Sequence, residues 1–483
     1  MLLRHGSHHK PCGLLCSQAC AVNASREHAV VLGAGIAGLL AARVLSDAYD
    51  SVCVIERDKT LGLPIHRKGV PQGRHIHNFL SRGTQVLAEL FPGLIDELGA
   101  AGAVVIDDGD LSRLYVRAGR YELQRAGTLT DPTAVTLCLA TRPFVESHVH
   151  RRVANLPNVR FLEGHEVIEP LTEANAIAGV RIVQHDNGTP GDLAADLLVD
   201  AMGRSARTPA FLEGMGYGRP PETRSTAMLG YSSQLLSIPN GCINEQMVVF
   251  NLGLRGKPGG LLLACENDTW MFAVARTIDT GGAPPDFATM LALAEGALPP
   301  EIMDGLRRAH PLADIATFRN PAAVWRRYDH MTRLPRGLLV IGDALCSPNP
   351  VYGQGMTMAA QQALALRDCL RGGDADLAQR FFLMAARGIR PTWAMNQAND
   401  RNRSSNRKPS LQRRLRGRLV GAMLNAAGDD TAVTERLLRV THLVDPPVRL
   451  QDPTLLSRVL RANLRQRFRR AQQHRHHRLR EAL

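Results

Sequence analysis

A glycine-rich segment near the start of the chain constrains the fold more than any other feature. Residues 29–56 read AVVLGAGIAGLLAARVLSDAYDSVCVIE, which predicts a strand, a glycine turn, an amphipathic helix and a second strand. Gly33, Gly35 and Gly38 match G-x-G-x-x-G, and Glu56 ends the second strand. In such a unit the glycines permit the tight turn, the approach of a pyrophosphate and close helix packing, while the carboxylate binds ribose hydroxyls. The segment therefore predicts a dinucleotide site without deciding between NAD and FAD.

Charge is distributed unevenly along the 483 residues, which carry a formal net charge of +13. Residues 401–483 contain 20 Lys+Arg and six Asp+Glu, so the rest of the chain is nearly neutral. A neutral body does not attract polyanions, and we predict no nucleic-acid partner for it. Any anionic partner is expected at the C-terminal segment.

Cysteine use and hydropathy indicate a cytoplasmic protein. The nine cysteines are odd in number and scattered, which is not the pattern of a disulfide framework. The chain shows no signal-peptide-like start and no apolar run long enough to span a bilayer. Cys12, Cys16 and Cys20 lie near several histidines, but a flexible N-terminal extension over residues 1–26 is favoured over a metal site.

A second segment distinguishes the two nucleotides. Residues 338–372 read LLVIGDALCSPNPVYGQGMTMAAQQALALRDCLRG, a buried strand, a Gly/Pro loop and a helix. This resembles the second FAD motif of the p-hydroxybenzoate hydroxylase-like flavoprotein monooxygenases. The resemblance implies that Asp343 binds the ribityl chain and that Pro350, Gly353 and Gly355 shape the loop against the isoalloxazine. A helix N-terminus at this loop supplies N–H donors and partial positive charge to an anionic reduced flavin.

A third segment, ADLLVDAMGRSARTP at 195–209, resembles the family's DGxxSxxR fingerprint, with Ala201, Met202 and Gly203 in place of the direct DG pair. That departure is similar to the alkene-epoxidising branch of the family. The resemblance further implies that Val167 meets adenine through its backbone and that Arg142 lies near the FAD phosphates. For Arg142 a plain surface salt bridge remains the alternative.

Residues 67–94 (RKGVPQGRHIHNFLSRGTQVLAELFPGL) and the loop NPVYGQGMT narrow the resemblance to the polyketide and polyether epoxidase group. This implies an enzyme that uses FAD and O2, through a flavin C4a-hydroperoxide, to oxidise an alkene of an apolar molecule. Reducing equivalents would come from NAD(P)H directly or from a separate flavin reductase. Arg74 and His75 are expected near the pyrophosphate or flavin; alternatively, His75 and His77 only cap or pack the following helix. No G-x-S-x-G or H-E-x-x-H motif occurs, so neither a catalytic nucleophile nor a metal is predicted.

Short alternating apolar runs between Arg224 and Arg276 predict antiparallel strands. In the family such a sheet covers the flavin and forms the substrate pocket, which indicates an apolar small-molecule substrate. Core packing remains the alternative for each aromatic residue. The pocket candidates are Tyr231, Phe250, Trp270, Phe272 and Tyr352.

The chain after Gly373 is helical in pattern and increasingly basic. Leu456, Leu460, Leu464 and Phe468 recur every four residues with arginines between them, which predicts an amphipathic helix with a cationic side. Such a helix suits peripheral membrane contact; a solvated, partly docked tail is the alternative.

Together these features predict an α/β fold, a Rossmann-type FAD-binding domain interleaved with an antiparallel-sheet substrate domain, plus a C-terminal helical region. The alternatives are an FAD-dependent reductase of isoprenoid double bonds, a flavoprotein hydroxylase of an aromatic substrate, and a basic-tailed binding protein with a vestigial flavin site. The expected units are 1–26 as the extension, 27–110, 137–223 and 336–372 as the FAD-binding parts, 111–136 and 224–335 as the substrate domain, and 373–483 as the helical basic region.

Overall fold

The computed structural model describes residues 26–225, 229–251, 256–319, 322–404 and 410–481. The Cys/His segment of the predicted N-terminal extension lies outside these residues. The strands are β1 His28–Leu32, β2 Ser51–Glu56, β3 Val104–Ile106, β4 Leu114–Ala118, β5 Tyr121–Glu122, β6 Leu137–Leu139, β7 Val159–Glu163, β8 His165–Glu173, β9 Ala176–Gln184, β10 Pro190–Ala194, β11 Leu197–Asp200, β12 Glu222–Ser225, β13 Leu229–Ser237, β14 Met247–Phe250, β15 Gly259–Ala264, β16 Thr269–Thr277, β17 His310–Pro311, β18 Ala316–Arg319, β19 Ala323–Arg326, β20 Leu338–Val340 and β21 Cys346–Ser347. The helices are α1 Ile36–Leu45, α2 Ser81–Leu90, α3 Leu94–Ala100, α4 Arg142–Ala154, α5 Thr208–Gly214, α6 Phe287–Ala294, α7 Pro300–Arg307, α8 Gly355–Arg371, α9 Leu377–Ser404, α10 Leu411–Ala427, α11 Thr431–Thr441 and α12 Pro453–Glu481.

A five-stranded parallel sheet in the order β20-β11-β1-β2-β7 forms the centre of the first domain. Strands β1, β2, β11 and β20 are short, apolar and almost fully buried, whereas the edge strand β7 is only partly buried. Helix α1 packs against β1, β2 and β11, and strands β8 and β9 contact β2 and β11, respectively. Helix α1 packs against α8 and α4. The sheet draws its strands from three separate stretches of the chain, and this interleaving confirms the predicted fold class.

An eight-stranded sheet forms the second domain, in the order β17-β13-β16-β15-β14-β4-β5 with β18 beside β13. Its pairs are antiparallel except for β14 with β4. Period two places Trp270, Phe272 and Val274 on one face, as the sequence predicted. That face forms a core with α6 and α7, which contribute Met290 and Ile302.

The opposite face of this sheet, which we call the inner face, packs partly against the C-terminal helices. Met247 and Leu263 share a core with Met423 of α10 and with Leu455 and Val459 of α12. Helix α9 packs on α8 and so joins the helical region to the first domain. Within the described residues no helix is long and apolar enough to cross a membrane.

Candidate functional site

The glycine turn after β1 has the geometry of a phosphate-binding loop. Gly33 has φ +97 and donates its N–H to the Ile55 carbonyl at 2.8 Å. A Cβ on Gly38 would lie 1.9 Å from the Gly33 carbonyl oxygen, so that position requires glycine for packing. A Cβ on Gly35 would meet only the Arg142 guanidinium, at an ordinary 3.6 Å. The protein itself therefore leaves open the space beside Gly35, where a pyrophosphate approaches in this motif.

The Glu56 carboxylate is fixed beside this turn. Its Oε2 accepts the Ala34 N–H at 2.9 Å, and its Oε1 accepts the N–H groups of Arg57 at 2.9 Å and Asp58 at 3.1 Å. These backbone donors hold the side chain at the end of β2. The position and charge suit the ribose hydroxyls that the motif predicts there.

Two arginines and a glutamate form a buried ionic cluster next to Gly35. Arg142 donates from Nε to Glu146 at 2.9 Å, and Arg67 pairs with the other oxygen of Glu146. Burial lowers the pKa of Arg142 to about 10, which still leaves it charged at neutral pH. The alternative of a surface salt bridge is wrong for Arg142, because the side chain is buried and its guanidinium adjoins the glycine turn.

A cleft of about 350 Å³ opens beside the cluster. Both ring nitrogens of His150 are buried without a hydrogen bond to any described residue. Arg67 Nη1 also has no hydrogen bond to a described residue, although it lies 3.5 Å from Glu56 Oε2 and 3.7 Å from Asp58 Oδ2. Buried polar atoms without a hydrogen-bond partner are rare in native proteins, so these atoms are suited to bind a polar ligand. These donors suit a polar or anionic group such as the pyrophosphate that the glycine motif predicts here. The lining includes Ala34, Arg67, Gly73, Arg142, Glu146 and His150.

Asp343 lies just beyond β20, and its Oδ1 is 3.6 Å from where a Cβ on Gly355 would be. Burial raises the pKa of this carboxyl, while the positive charges of Arg142 and Arg204 and a hydrogen bond from Ser347 act to lower it. Because α8 begins at Gly355, the carboxylate and the helix N-terminus occupy one region. A ribityl hydroxyl donating to Asp343 and a flavin ring at the helix N-terminus fit this arrangement.

The loop before α8 and the first residue of that helix include the three residues that the resemblance places against the isoalloxazine. Pro350 begins a short 3-10 turn that Asn349 caps by accepting the Val351 N–H at 3.2 Å. Gly353 adopts φ +63, with no atom within 4 Å of a Cβ there. Tyr352, a pocket candidate, donates its hydroxyl to Asp400 of α9 at 2.8 Å. The Tyr352 hydroxyl therefore ties the loop to the helical region.

Of the three residues that match the DGxxSxxR fingerprint around the end of β11, one is buried and two are exposed. Asp200 is fully buried and accepts the Met202 N–H at 2.9 Å, which holds the turn. Ser205 and Arg207 are exposed, and Arg207 covers the Phe211 ring at 5.2 Å. Arg204, which sequence reasoning missed, is half-buried and donates to Ser347 at 3.3 Å.

Val167 lies in β8 at an irregular pairing. The register with β9 skips from Val167 to Glu169, which leaves a bulge at Ile168. Bulges free backbone groups from the ladder. A backbone contact between Val167 and adenine is compatible with this geometry.

The segment before α2 reaches the inner face of the eight-stranded sheet. His75 is buried, with Nδ1 2.9 Å from Ser233 Oγ and its ring edge-on to Tyr231 at 4.8 Å. Burial lowers the pKa of His75 to about 4, and burial together with Arg142 lowers that of His77 to about 3, so both are neutral at pH 7. Arg74 is exposed.

The aromatic pocket candidates divide between the two faces of the sheet. Phe250 and Phe272 have no exposed surface, and Trp270 shares their core against α6 and α7. For these three residues the core-packing alternative describes the structure better than the pocket. Tyr231 instead lies on the inner face, where the pairing places it opposite Ala275.

Comparisons with known proteins agree with this architecture. Residues 31–90 match the family described as NAD(P)-binding Rossmann-like domain. Protein Rv3254 of Mycobacterium tuberculosis is 36% identical over 452 residues, which are 91% of this chain and 94% of that protein. Kynurenine 3-monooxygenase of Salinispora arenicola is 28% identical over 72% of this chain and 73% of its own. The crystal structure of p-nitrophenol 4-monooxygenase PnpA from Pseudomonas putida is similar in fold, with a TM-score of 0.61 and 16% identity over 88% of this chain and 99% of that one.

Proposed function

Because this chain belongs to the superfamily of FAD-dependent monooxygenases, we propose that it transfers one oxygen atom from O2 to an alkene of an apolar, polyketide- or isoprenoid-like molecule. Bound FAD supplies the oxygen chemistry once it is reduced. The protein supplies binding, orientation and a site from which water is excluded.

Residues of the cleft, of the end of β2 and of the loop around the start of α8 bind different parts of the FAD molecule. Arg142 and Arg67 offer positive charge to the pyrophosphate beside Gly35, and Glu56 accepts from the ribose. Asp343 accepts from the ribityl chain. The N-terminus of α8 offers backbone N–H groups to the ring, where negative charge develops on reduction.

One observation carries the assignment of an apolar substrate: the part of the inner face that adjoins His75 is uncharged. Tyr231 pairs with Ala275 on this face, Ala273 pairs with Leu261, and the neutral His75 borders it. A charged or strongly polar substrate finds no counter-ion among these side chains. A long apolar molecule is held there by burial of its surface.

Labelled oxygen tests the proposed reaction. Turnover of candidate polyenes under ¹⁸O2 is expected to give products that contain one labelled oxygen as an epoxide. A product that gains two hydrogens and no oxygen would replace the proposal with the reductase of isoprenoid double bonds. A labelled phenol from an aromatic substrate would replace it with the hydroxylase, the alternative favoured by the name of the kynurenine 3-monooxygenase relative.

The source of electrons is resolved by one anaerobic measurement. Bleaching of the bound flavin by NADH or NADPH alone assigns direct reduction. Bleaching only after a flavin reductase is added assigns a separate partner. The experiment needs no substrate, so it is independent of the labelled-oxygen result.

We further propose a cytoplasmic location with a peripheral membrane contact through the outer side of α12. Leu460, Leu464 and Phe468 are exposed there, between Arg461 and Arg465. Cationic amphipathic helices of this kind bind anionic lipid surfaces.

A further inference from the structure

Helix α10 begins with a stretch that lies entirely at the surface. Every described side chain from 411 to 420 is exposed. Leu411, Leu415 and Leu419 are exposed by 72%, 55% and 43%, and their spacing of four residues puts them on one stripe. We call these three leucines the α10 stripe. Single exposed leucines are ordinary, but three in register on one helix form an apolar surface.

The surroundings of the α10 stripe are strongly cationic. Residues 401–428 contain seven Arg, one Lys and no Asp or Glu. Arg414, Arg416 and Arg418 stand exposed among the leucines, and none forms an ion pair with another described residue. Their charge is therefore available to an external anionic partner.

The second half of α10 anchors this surface to the body. Met423, Ala426 and Ala427 are buried in the core that includes Met247 of the substrate sheet. Asn425 also bonds to Asn463 of α12 at 2.8 Å. The exposed half is thus a rigid continuation of a helix that packs against the substrate domain.

We propose that the first half of α10 docks the protein on an anionic lipid surface. The stripe enters the boundary between headgroups and acyl chains while the arginines contact the headgroups. A second copy of this chain is disfavoured because it would bring two cationic surfaces together. Nucleic acid would pair with the arginines but leave the leucines in water. The inference concerns a helix separate from the outer side of α12 and does not depend on the chemistry at the flavin.

Vesicle binding by the full-length FAD-loaded protein tests the proposal. The probes are vesicles of phosphatidylcholine with phosphatidylglycerol and vesicles of phosphatidylcholine alone, each at low and high salt. Wild type is expected to cosediment with the anionic vesicles and to release at high salt. Leu415→Gln with Leu419→Gln, and separately the triple change of Arg414, Arg416 and Arg418 to Gln, are expected to weaken binding about tenfold or more.

Matched variants test whether the loss of any two exposed leucines, or of any three arginines, has the same effect on vesicle binding. Leu312→Gln with Leu383→Gln removes two leucines that are exposed to similar extents, 51% and 42%, on other elements. A triple change of Arg219, Arg307 and Arg308 to Gln lowers the net charge equally. Both controls are expected to bind vesicles like wild type, and flavin absorbance and the thermal midpoint check that every variant is folded.

Three outcomes would overturn the docking. Wild type that ignores anionic vesicles, or binds neutral ones equally well, contradicts it. Variants of the α10 stripe that bind like wild type place any lipid contact elsewhere, for example on α12. Retention of a DNA oligonucleotide that needs the α10 arginines but not the leucines, without vesicle binding, assigns the surface to nucleic acid instead.

Discussion

Arg142 places its Nη2 atom 3.6 Å from the point where a side chain on Gly35 would begin. No other protein atom lies within 4 Å of that point, so Gly35→Val is expected to leave the fold intact. The added side chain takes the space that a pyrophosphate needs. We expect the purified variant to be colourless, with FAD affinity lowered by at least about tenfold in a fluorescence titration.

Gly38→Ala provides the contrast, since its Cβ would collide with the Gly33 carbonyl at 1.9 Å. This change is expected to lower the thermal midpoint of the apoprotein, which Gly35→Val leaves unchanged. Equal destabilisation by both substitutions would show that Gly35 has a packing role rather than a ligand role.

Substitution of Asp343 is expected to change the affinities for FAD, FMN and ADP by different amounts. Asp343→Ala removes the ribityl acceptor, so affinity for FAD and for FMN is expected to fall, while affinity for ADP, which lacks the ribityl chain, is retained. Isothermal titration with the three ligands measures this. Glu56→Gln, at the end of β2, is expected to weaken binding of FAD and ADP but not of FMN. An Asp343 variant with wild-type FMN affinity would contradict the assignment.

His442 is expected to make the free energy of unfolding depend on pH. It is buried against Ser81, and burial lowers its pKa to about 4 from 6.5. As the pH falls from 6.5 to 4, the unfolded chain binds a proton that the folded protein excludes, so stability falls by about 3 kcal/mol and then levels off. Urea unfolding of wild type and His442→Asn measures the difference in slope. His185→Gln, at an exposed position, is the control for replacing a histidine.

The two faces of the eight-stranded sheet are expected to respond differently to substitution. Phe272→Ala empties part of the core under α6 and α7 and costs about 3–5 kcal/mol of stability. Ser233→Ala removes the partner of His75 on the inner face, costs about 1 kcal/mol, and raises the KM for the substrate. Denaturant midpoints and steady-state kinetics distinguish the two effects. A normal KM in the Ser233 variant would show that the inner face does not line the substrate pocket.

The C-terminal helix is expected to contribute to stability through its anchored part and not to contribute to flavin binding. Gln466 donates from Nε2 to the Asn425 carbonyl at 2.9 Å and to Asp429 at 2.6 Å. Deletion from Arg469 onward retains these bonds and is expected to keep the wild-type thermal midpoint and bound FAD. Deletion from Arg465 removes them and is expected to lower the midpoint while flavin stays bound. Loss of flavin in the shorter deletion would mean that the tail supports the cleft.

Local spacing predicted the parts of the site that lie within single motifs. Gly33, Gly35, Gly38 and Glu56 occur in one βαβ unit, so their proximity follows from the strand-turn-helix geometry. Asp343 instead follows from the resemblance of residues 338–372 to the second FAD motif of the flavoprotein monooxygenases. Arg67 and Glu146 are 79 positions apart, and no periodicity in the sequence indicates their pairing.

Periodicity also did not indicate which elements would pack against each face of the eight-stranded sheet. It predicted that Trp270 and Phe272 share a face, but not that α6 and α7 cover that face. Similarly, the fingerprint favoured Arg207, whereas the turn after Asp200 directs Arg204 inward and leaves Arg207 exposed. Such choices depend on tertiary packing, which the spacing of residues along one strand or turn does not contain.

The strand order of the parallel sheet has a consequence for how the protein is made. β20 lies at the edge beside β11, and Asp343 follows it directly. On the ribosome, β1, β2, β7 and β11 emerge long before β20, so the nascent sheet exposes an unpaired β11 edge while strands β13 to β18 of the substrate sheet are synthesised. Stable retention of the flavin has to wait for that last strand. Chains that terminate inside the substrate domain are therefore expected to be released without cofactor and with an aggregation-prone edge.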